Sequence, residues 1–355
     1  MKRLTHIALL LAAFILSSAH VARAQGELDE PDEYQPFPTA VAARTVVLRS
    51  GPSTHRARLR LLGPASVLEI LSPNKREGFY FVLTRAGEQG WVWGNNVRVE
   101  TMPPGATDPR LTAARRERGP CRTSFSDCPT DGCADPAAQP EQALLNRTKQ
   151  RPPTTRDSAS ALALTFGDFK SLQTQAARIL EKPRGELSQI ERDKLRNLRV
   201  TRGRVAEGQL ASVNGYIALS EERPGSNGGE SVNCKFTGQE FSDFHIPVVA
   251  SKSHDEFKSI VVEMIPQGRS PGWTLAKLRA VQRLRRHVLI AGALFFDNIH
   301  VVNQDRTTPI SNQPRRVSVW ELHPVSDFFV CNKTNRKCDT TNPAEWTPLE
   351  DFVEP

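Results

Sequence analysis

The chain has 355 residues, of which 24% are charged and 38% are hydrophobic, and its formal net charge is +8. A single hydrophobic core stops growing near roughly 250 to 300 residues, so this length excludes a one-domain protein and favours two compact units with connecting segments. The composition does not by itself indicate a reaction.

Residues 1–24 predict a cleavable secretory leader. Lys2 and Arg3 form a positive start, and an apolar run then extends from Ile7 to Leu16. That run is too short to cross a bilayer of about 30 Å as a helix. Loss of the three basic residues in the leader would lower the net charge from +8 to +5, which favours at most a general affinity for acidic polymers. We therefore expect a periplasmic or secreted protein with no membrane span.

All six cysteines follow the leader, and an even number in an exported chain favours disulfides. They are Cys121, Cys128, Cys133, Cys234, Cys331 and Cys338. Metal binding is the competing interpretation of the first three, but their spacing lacks the C-x-x-C knuckle that usually seeds a zinc site. Cys331 and Cys338 close a short loop and are predicted to form one pair.

The first part of the mature chain contains an acidic tail and then a strand-rich block. Residues 25–40 carry prolines and acidic groups without periodicity, which predicts a flexible tail. Residues 41–100 contain short β-branched and aromatic runs separated by turn signals. The runs are TVVLRS, SVLEIL, FYFVLT and GWVWG. This rhythm predicts a small barrel or two packed sheets.

The rest of the chain divides into a connecting segment and a second domain. Residues 101–157 are rich in proline and cysteine and predict a linker that a disulfide fixes locally. Residues 158–355 begin with helical spacing, and Ser188 and Glu191 stand in capping-box relation. Strand runs, one basic helix and two long final strands follow, which predicts an α+β unit. The expected fold class is therefore mainly β with helices.

The first block contains motifs of a known family. Val47 to Ser53, read with Gly90-Trp91-Val92, resembles the bacterial SH3-like domain. The chain departs from the family pattern at Phe79, a position where the family usually has an aromatic residue, often tryptophan. The resemblance implies a module that binds cell-wall peptides or assists another domain, with no cofactor. The candidate groove residues are Arg49, Tyr80, Trp91 and Trp93. The competing interpretation is that the aromatic residues fill the barrel and Arg49 braces a turn.

Motifs in the second domain resemble those of uncharacterised exported bacterial proteins. They are LNRTKQR (145–151), GESVNC (229–234), SDFHIPV (242–248), ALFFDNIH (293–300) and VWELHPV (319–325). The strand order of these motifs favours an OB-like barrel. Such barrels present one sheet face to oligonucleotides or oligosaccharides. Because this is an analogy of fold, function has to be argued from a site.

The second domain also carries histidines and carboxylates that could perform chemistry. The set is His245, Asp297, His300, Glu321 and His323. Glu321 and His323 lie two residues apart on a predicted strand and so share one face. Histidines that converge with a carboxylate could hold a divalent metal and activate water. The competing interpretations are a structural role in the sheet and ligand contact without chemistry.

Other catalytic and binding patterns are absent or ambiguous. The sequence has no G-x-S-x-G elbow, no phosphate loop and no dinucleotide fingerprint. The helix from Thr274 to Arg286 carries five cations and could bind nucleic acid, although a solvated face explains the same charges. The sequence thus predicts a non-enzymatic protein that binds a cell-wall component or an envelope protein. A metal-dependent hydrolase centred on His245, His300, Glu321 and His323 and an extracellular nucleic-acid binder are the alternatives.

Overall fold

A computed structural model describes seven ranges of the chain. They are residues 37–100, 120–153, 160–180, 184–218, 229–310, 313–334 and 336–354. The predicted leader and most of the predicted acidic tail lie outside these ranges. The described residues are mainly β-strand with four short helices, which confirms the expected α+β class.

The N-terminal unit is a strongly curved sheet of seven strands. The strands are β1 Thr39–Ala42, β2 Val46–Arg49, β3 Arg58–Leu62, β4 Val67–Arg76, β5 Phe79–Thr84, β6 Gln89–Trp93 and β7 Val97–Glu100. Their order across the sheet is β3-β2-β6-β5-β4-β1-β7. The first strand starts at Thr39, inside the range that the sequence assigned to a tail. The interior holds ten buried apolar residues, among them Leu48, Val82 and Val92.

Gly90 is required where β6 crosses β2. A Cβ at this position would lie 2.7 Å from the Leu48 side chain and 2.8 Å from the Arg49 carbonyl oxygen. Such contacts are far closer than packed atoms allow. The glycine of the Gly90-Trp91 motif therefore permits the close approach of two strands.

The C-terminal unit is built on a second sheet. Its strands are β8 Leu162–Ala163, β11 Leu210–Ile217, β12 Phe244–Val249, β13 Ile260–Met264, β14 His287–Phe296, β15 Trp320–Cys331 and β16 Trp346–Pro348. A separate small hairpin pairs β9 Leu198–Val200 with β10 Gly203–Val205. The pairings run β12-β13-β15-β14-β11, and β11 also pairs with β12. Five strands thus close into a barrel, with β13 and β15 parallel.

Four helices surround this barrel. They are α1 Pro140–Lys149, α2 Phe166–Ile179, α3 Gln189–Asp193 and α4 Leu275–Arg283. The predicted capping box of Ser188 and Glu191 is present at the start of α3, and Thr165 forms an equivalent box with Asp168 at α2. The barrel interior and the apolar sides of α2 and α4 share one large core, which includes Phe169, Leu278 and Trp320.

The predicted linker is instead a folded cap over part of its length. Residues 120–153 form turns and α1, and disulfides Cys121–Cys133 and Cys128–Cys234 hold this segment together and join it to residue 234 of the second unit. The run SVNCKF (231–236) was expected as a strand, but residues 231–235 form consecutive turns. We call residues 120–153 with 229–236 the cap. The sequence missed it because disulfides and polar contacts, rather than a regular apolar pattern, stabilise it.

The two units pack on each other through a loop of the second barrel. Residues Val301 and Ile310 join Phe79, Phe81 and Trp91 of the first barrel in one apolar cluster. Gln89 Nε2 donates to the Val302 carbonyl oxygen at 2.8 Å. The outer aromatic face of the first barrel is therefore covered by its own chain.

The disulfides agree with export. The structure pairs Cys331 with Cys338, as predicted, and the described chain has no free cysteine. Three disulfides are typical of an oxidising, extracytoplasmic compartment. Among the described helices, none has the length and apolar character needed to cross a membrane.

His287 stabilises the C-terminal end of the fold as a neutral ring. Its Nδ1 accepts a hydrogen bond from the Cys338 backbone N–H at 3.2 Å, and its Nε2 lies 3.3 Å from Asn214 Oδ1. Burial, reinforced by Lys337 and Lys252, lowers the pKa of His287 to about 4. Protonation would remove the acceptor that the backbone N–H uses.

We predict that this histidine makes the fold sensitive to acid. Because the folded state binds fewer protons than the unfolded state, its contribution is present above pH 6.5 and is lost as the pH falls toward 4. We expect a loss of about 2 kcal/mol over that window. Urea unfolding at several pH values should show a shallower loss for His287→Gln. The exposed His55→Gln should keep the wild-type profile, and an unchanged slope in His287→Gln would contradict the prediction.

Candidate functional site

The outer face of the second barrel carries a buried polar cluster. Side chains alternate along a strand, so Phe244, Val262 and Leu322 fill the interior while their neighbours point outward. His245, Glu263, Glu321 and His323 are these outward residues on β12, β13 and β15. Glu263, Glu321 and His323 are nevertheless at most 1% exposed. An outward face this deeply buried must have a cover.

His323 lies at the centre of the cluster. Its Nδ1 is 2.6 Å from Glu263 Oε2 and 3.7 Å from Glu321 Oε2. Its Nε2 is 3.6 Å from Oδ2 of Asp243, the residue just before β12. His245 contacts the other side of Glu263, with Nε2 3.2 Å from Oε1. Two imidazoles and three carboxylates therefore occupy one buried volume.

The cluster shifts the proton affinity of its central pair in opposite directions. Burial raises the pKa of Glu263, but His245 and then His323 outweigh burial and hold this pKa well below its usual range. Burial lowers the pKa of His323, yet Glu263 outweighs it and raises this pKa to about 10. The pair is thus a charged imidazolium and carboxylate, each stabilised by the other.

Glu321 connects this cluster to a second one. Burial, followed by repulsion from Glu263, raises the pKa of Glu321 to about 7, although Arg316 acts in the opposite direction. Arg316 Nη1 donates to Glu321 Oε1, and both side chains are fully buried. Arg316 also lowers the pKa of Asp297. One electrostatic network therefore extends from His245 to Asp297.

Asp297 and His300 form a separate pair at the end of β14. His300 Nδ1 lies 2.7 Å from Asp297 Oδ2. Burial raises the pKa of Asp297, but His300 outweighs it and keeps the carboxyl ionised. The Asp297 backbone N–H donates to the Val319 carbonyl oxygen, so the pair is fixed between β14 and β15. This arrangement orients the imidazole as a carboxylate does in a catalytic dyad.

The cap supplies the cover of the outer face. Leu145 of α1 packs against Phe295 and Ile299. Asn146 Nδ2 donates to the Asp131 carbonyl oxygen at 2.7 Å and to Ser231 Oγ at 3.1 Å, which ties the two parts of the cap together. Lys149 is 3% exposed and contributes a positive charge that acts on Glu263, His323 and Asp297.

The structure therefore brings together part of the set identified from sequence. His245 and His323 share Glu263, and Glu321 lies beside His323, whereas His300 pairs with Asp297 instead. Sequence reasoning missed Lys149, Asp243, Glu263 and Arg316. The sequence did contain one sign that Glu263 is unusual, because it is a lone carboxylate in the apolar run Ile260–Met264. Arg316 gave none, because its burial depends on tertiary packing.

A cleft of about 920 Å³ separates the two units beside His300. The face of α2 that carries Lys170, Gln173, Thr174 and Arg178 forms one wall. The β5–β6 turn of the first barrel forms the opposite wall, and residues 300–302 line the space between them. The cleft is thus lined by residues of both units, and ten of its 21 lining residues are polar.

The four groove residues predicted for the first barrel do not form one exposed surface. Trp91 is buried against Phe81, with ring centroids 5.1 Å apart, in the cluster that includes the second unit. Tyr80 packs on the barrel interior. Trp93 is 38% exposed, with its ring edge-on to Phe79. Arg49 Nη1 donates to the Arg56 carbonyl oxygen, the bracing contact of the alternative interpretation.

The basic helix is partly neutralised by the C-terminal segment. Lys277 Nζ donates to the Glu350 carbonyl oxygen, and Arg283 pairs with Glu354 at 2.5 Å. Arg286 is buried and donates to the Asn332 carbonyl oxygen. These contacts reduce the charge that α4 presents to a polyanion.

Comparisons with known proteins add little. No family model and no curated protein matches the sequence. The chain is similar to a solved structure titled "Structure of NlpC2 from Trichomonas vaginalis", with 12% identity, 65% of this chain and 68% of that chain covered, and a TM-score of 0.16. A TM-score this low carries no argument about fold or function.

We predict that the disulfide joining the two segments of the cap contributes more stability than the short terminal one. Cys128–Cys234 spans 106 residues and Cys331–Cys338 spans 7. Loop closure then predicts losses of about 5 and about 2 kcal/mol on removal. Urea unfolding of Cys128→Ser with Cys234→Ser should show the larger loss, with Cys331→Ser and Cys338→Ser as the matched control. Equal losses would mean that the cap contributes little to the fold.

Proposed function

We propose that this protein is an exported binding protein that holds a cell-wall polymer in the cleft between its two barrels. The observation that carries the proposal is that both units line the same cleft of about 920 Å³. A volume of this size fits a ligand of a few sugar or amino-acid units. The protein would then act in the periplasm or after secretion.

The chemistry of the walls supports a polar ligand. Lys170, Thr174 and Arg178 follow one another at intervals of four residues, so they share one exposed face of α2. Gln173 adds an amide group on the same wall, and Gln89 and Gln304 add amide groups on the other sides. Amide donors and acceptors with a few cations suit the hydroxyl, amide and carboxylate groups of wall polymers.

The OB-like barrel is a second observation that supports ligand binding in this cleft. OB-like barrels bind oligosaccharides and oligonucleotides on their second and third strands and on the loop between the fourth and fifth. Here the cap covers β12 and β13, the second and third strands of the barrel. The loop between β14 and β15 contributes His300, Val301 and Gln304 to the cleft. This loop is thus one described part of the barrel surface that remains available to a polymer.

Blocking the cleft should abolish binding without affecting the fold. Thr174 is exposed on the cleft wall, so Thr174→Trp would fill space that the ligand needs. We expect co-sedimentation with insoluble peptidoglycan and a dissociation constant raised at least about tenfold in the variant. Ser171→Trp, at an exposed position outside the cleft lining, is the matched control and should bind as wild type does.

Three outcomes would contradict this proposal. The first is that wild-type protein fails to sediment with peptidoglycan. The second is that it binds a single-stranded oligonucleotide more tightly than wall fragments, which would favour the nucleic-acid interpretation. Equal binding by Thr174→Trp and wild type would place the ligand elsewhere.

The His300–Asp297 pair favours hydrolysis of the bound polymer as a second candidate function. Asp297 orients the imidazole, and His300 lines the cleft. In this scheme the His300 ring removes a proton from water, the water oxygen attacks a carbonyl carbon of a peptide cross-link, and the imidazolium returns the proton to the leaving amine. Such acid–base catalysis typically contributes about 10² to 10⁴ in rate.

The hydrolase candidate predicts release of soluble fragments. Wild-type protein incubated with peptidoglycan at neutral pH should generate new free amines, and His300→Gln should lower the rate at saturating protein at least about 100-fold. Asp297→Asn should lower it as well, because the imidazole loses its orienting carboxylate. Thr174→Trp should lose both binding and release. If the wild-type protein binds peptidoglycan but releases no fragments, the proposed binding function would stand and the hydrolase candidate would be rejected.

A further inference from the structure

We infer that Asp243 and His323, with Glu263 orienting the imidazole from its other ring nitrogen, form a binding site for a first-row divalent transition metal beneath the cap. The three residues belong to different segments, since Asp243 precedes β12, Glu263 lies on β13 and His323 lies on β15. Each offers one ligand atom, and these atoms lie within 4.8 Å of one another. This site is separate from the cleft and does not depend on the proposed ligand.

The two carboxylate oxygens of Asp243 differ in their hydrogen bonding. Asn233 Nδ2 donates to Asp243 Oδ1 at 2.9 Å, and Gln267 Nε2 in turn donates to Asn233 Oδ1. Asp243 Oδ2 has no hydrogen-bond partner, and the same is true of His323 Nε2, which lies 3.6 Å away. Both side chains are fully buried. An acceptor and a ring nitrogen left unsatisfied in this way are costly and rare.

A metal ion between these two atoms would replace the Nε2 proton of the imidazolium and bind both the ring nitrogen and the carboxylate oxygen, while Nδ1 keeps its proton toward Glu263. Nitrogen and oxygen ligands lie about 2.0 to 2.2 Å from zinc, so two ligands at a tetrahedral angle are about 3.4 Å apart. The observed separation of 3.6 Å between Asp243 Oδ2 and His323 Nε2 is close to that value. Imidazole with carboxylates is a ligand set for zinc and neighbouring metals rather than for calcium or magnesium.

The surrounding contacts resemble those that orient metal ligands. Ligating carboxylates are usually hydrogen-bonded, as Asp243 is by Asn233. A ligating histidine usually directs its other ring nitrogen to a carboxylate or carbonyl. His323 Nδ1 lies 2.6 Å from Glu263 Oε2, while His245 contacts Glu263 Oε1. The side chains are therefore held in place without the ion.

The position of the site assigns it a structural role. Asn233 belongs to the cap, and it binds the same carboxylate that we assign to the metal. The ion would neutralise acidic groups on the barrel face and fix the cap segment next to them. Burial at 1% exposure or less leaves no room for a polymer at the ion, so the metal would stabilise the fold.

The test uses the full mature chain with its disulfides intact. Protein unfolded in guanidinium with a chelator is refolded with or without Zn²⁺, freed of excess metal and analysed by mass spectrometry. We expect about one zinc per chain and a higher melting temperature in the zinc-refolded sample. Refolding with Co²⁺ should give visible absorption from a nitrogen- and oxygen-liganded ion. Fewer than about 0.1 metal ions per chain under all these conditions would overturn the inference.

Matched variants distinguish this site from its neighbour. Asp243→Asn and His323→Gln should each reduce zinc content at least about fivefold and remove the zinc-dependent rise in melting temperature. His300→Gln alters the other buried histidine–carboxylate pair of the same barrel and should retain zinc. Asp243→Asn preserves the shape and the Asn233 contact, so it tests ligation in a folded protein. Full zinc content in Asp243→Asn and His323→Gln would also refute the site, whatever the result of the peptidoglycan experiments.

Discussion

The packing of the second domain depends on a set of charges buried outside its barrel. Glu263, Glu321 and His323 lie on the outward face of the sheet yet are removed from water. Buried charges are tolerated only when opposite charges and hydrogen bonds compensate them. The neighbouring cations Lys149 and Arg316 provide part of that compensation. The cap excludes water from the charges, and its disulfides keep it in place.

The second barrel also determines which surface of the first barrel is left uncovered. Its loop between β14 and β15 places Val301 and Ile310 on the aromatic face that includes Phe81 and Trp91. That face would otherwise be a large exposed apolar patch, which marks an interaction site on most proteins. Because the chain covers this face internally, our proposal places the binding surface in the neighbouring cleft. The first barrel then contributes the β5–β6 turn, rather than its aromatic face, to the proposed ligand site.

The proposed roles divide between two histidine–carboxylate groups of different accessibility. His300 lines the cleft, and Asp297 is buried behind it. His323 and its carboxylates lie under the cap, where an ion can be enclosed but a polymer cannot enter. Arg316 and Glu321 join the groups, so a change in one alters the electrostatic environment of the other.

Sequence alone determined those features that depend on local pattern. Alternating runs predicted most strands, the capping box predicted the start of α3, and cysteine count with spacing predicted disulfides and the Cys331–Cys338 pair. Tertiary structure decided which histidines meet, that residues 120–153 form a cap, and that Trp91 is covered. The physical reason is that register and long-range disulfides join residues distant in sequence. The local sequence around Glu263 and Arg316 does not show which charged side chains these residues contact in the folded protein.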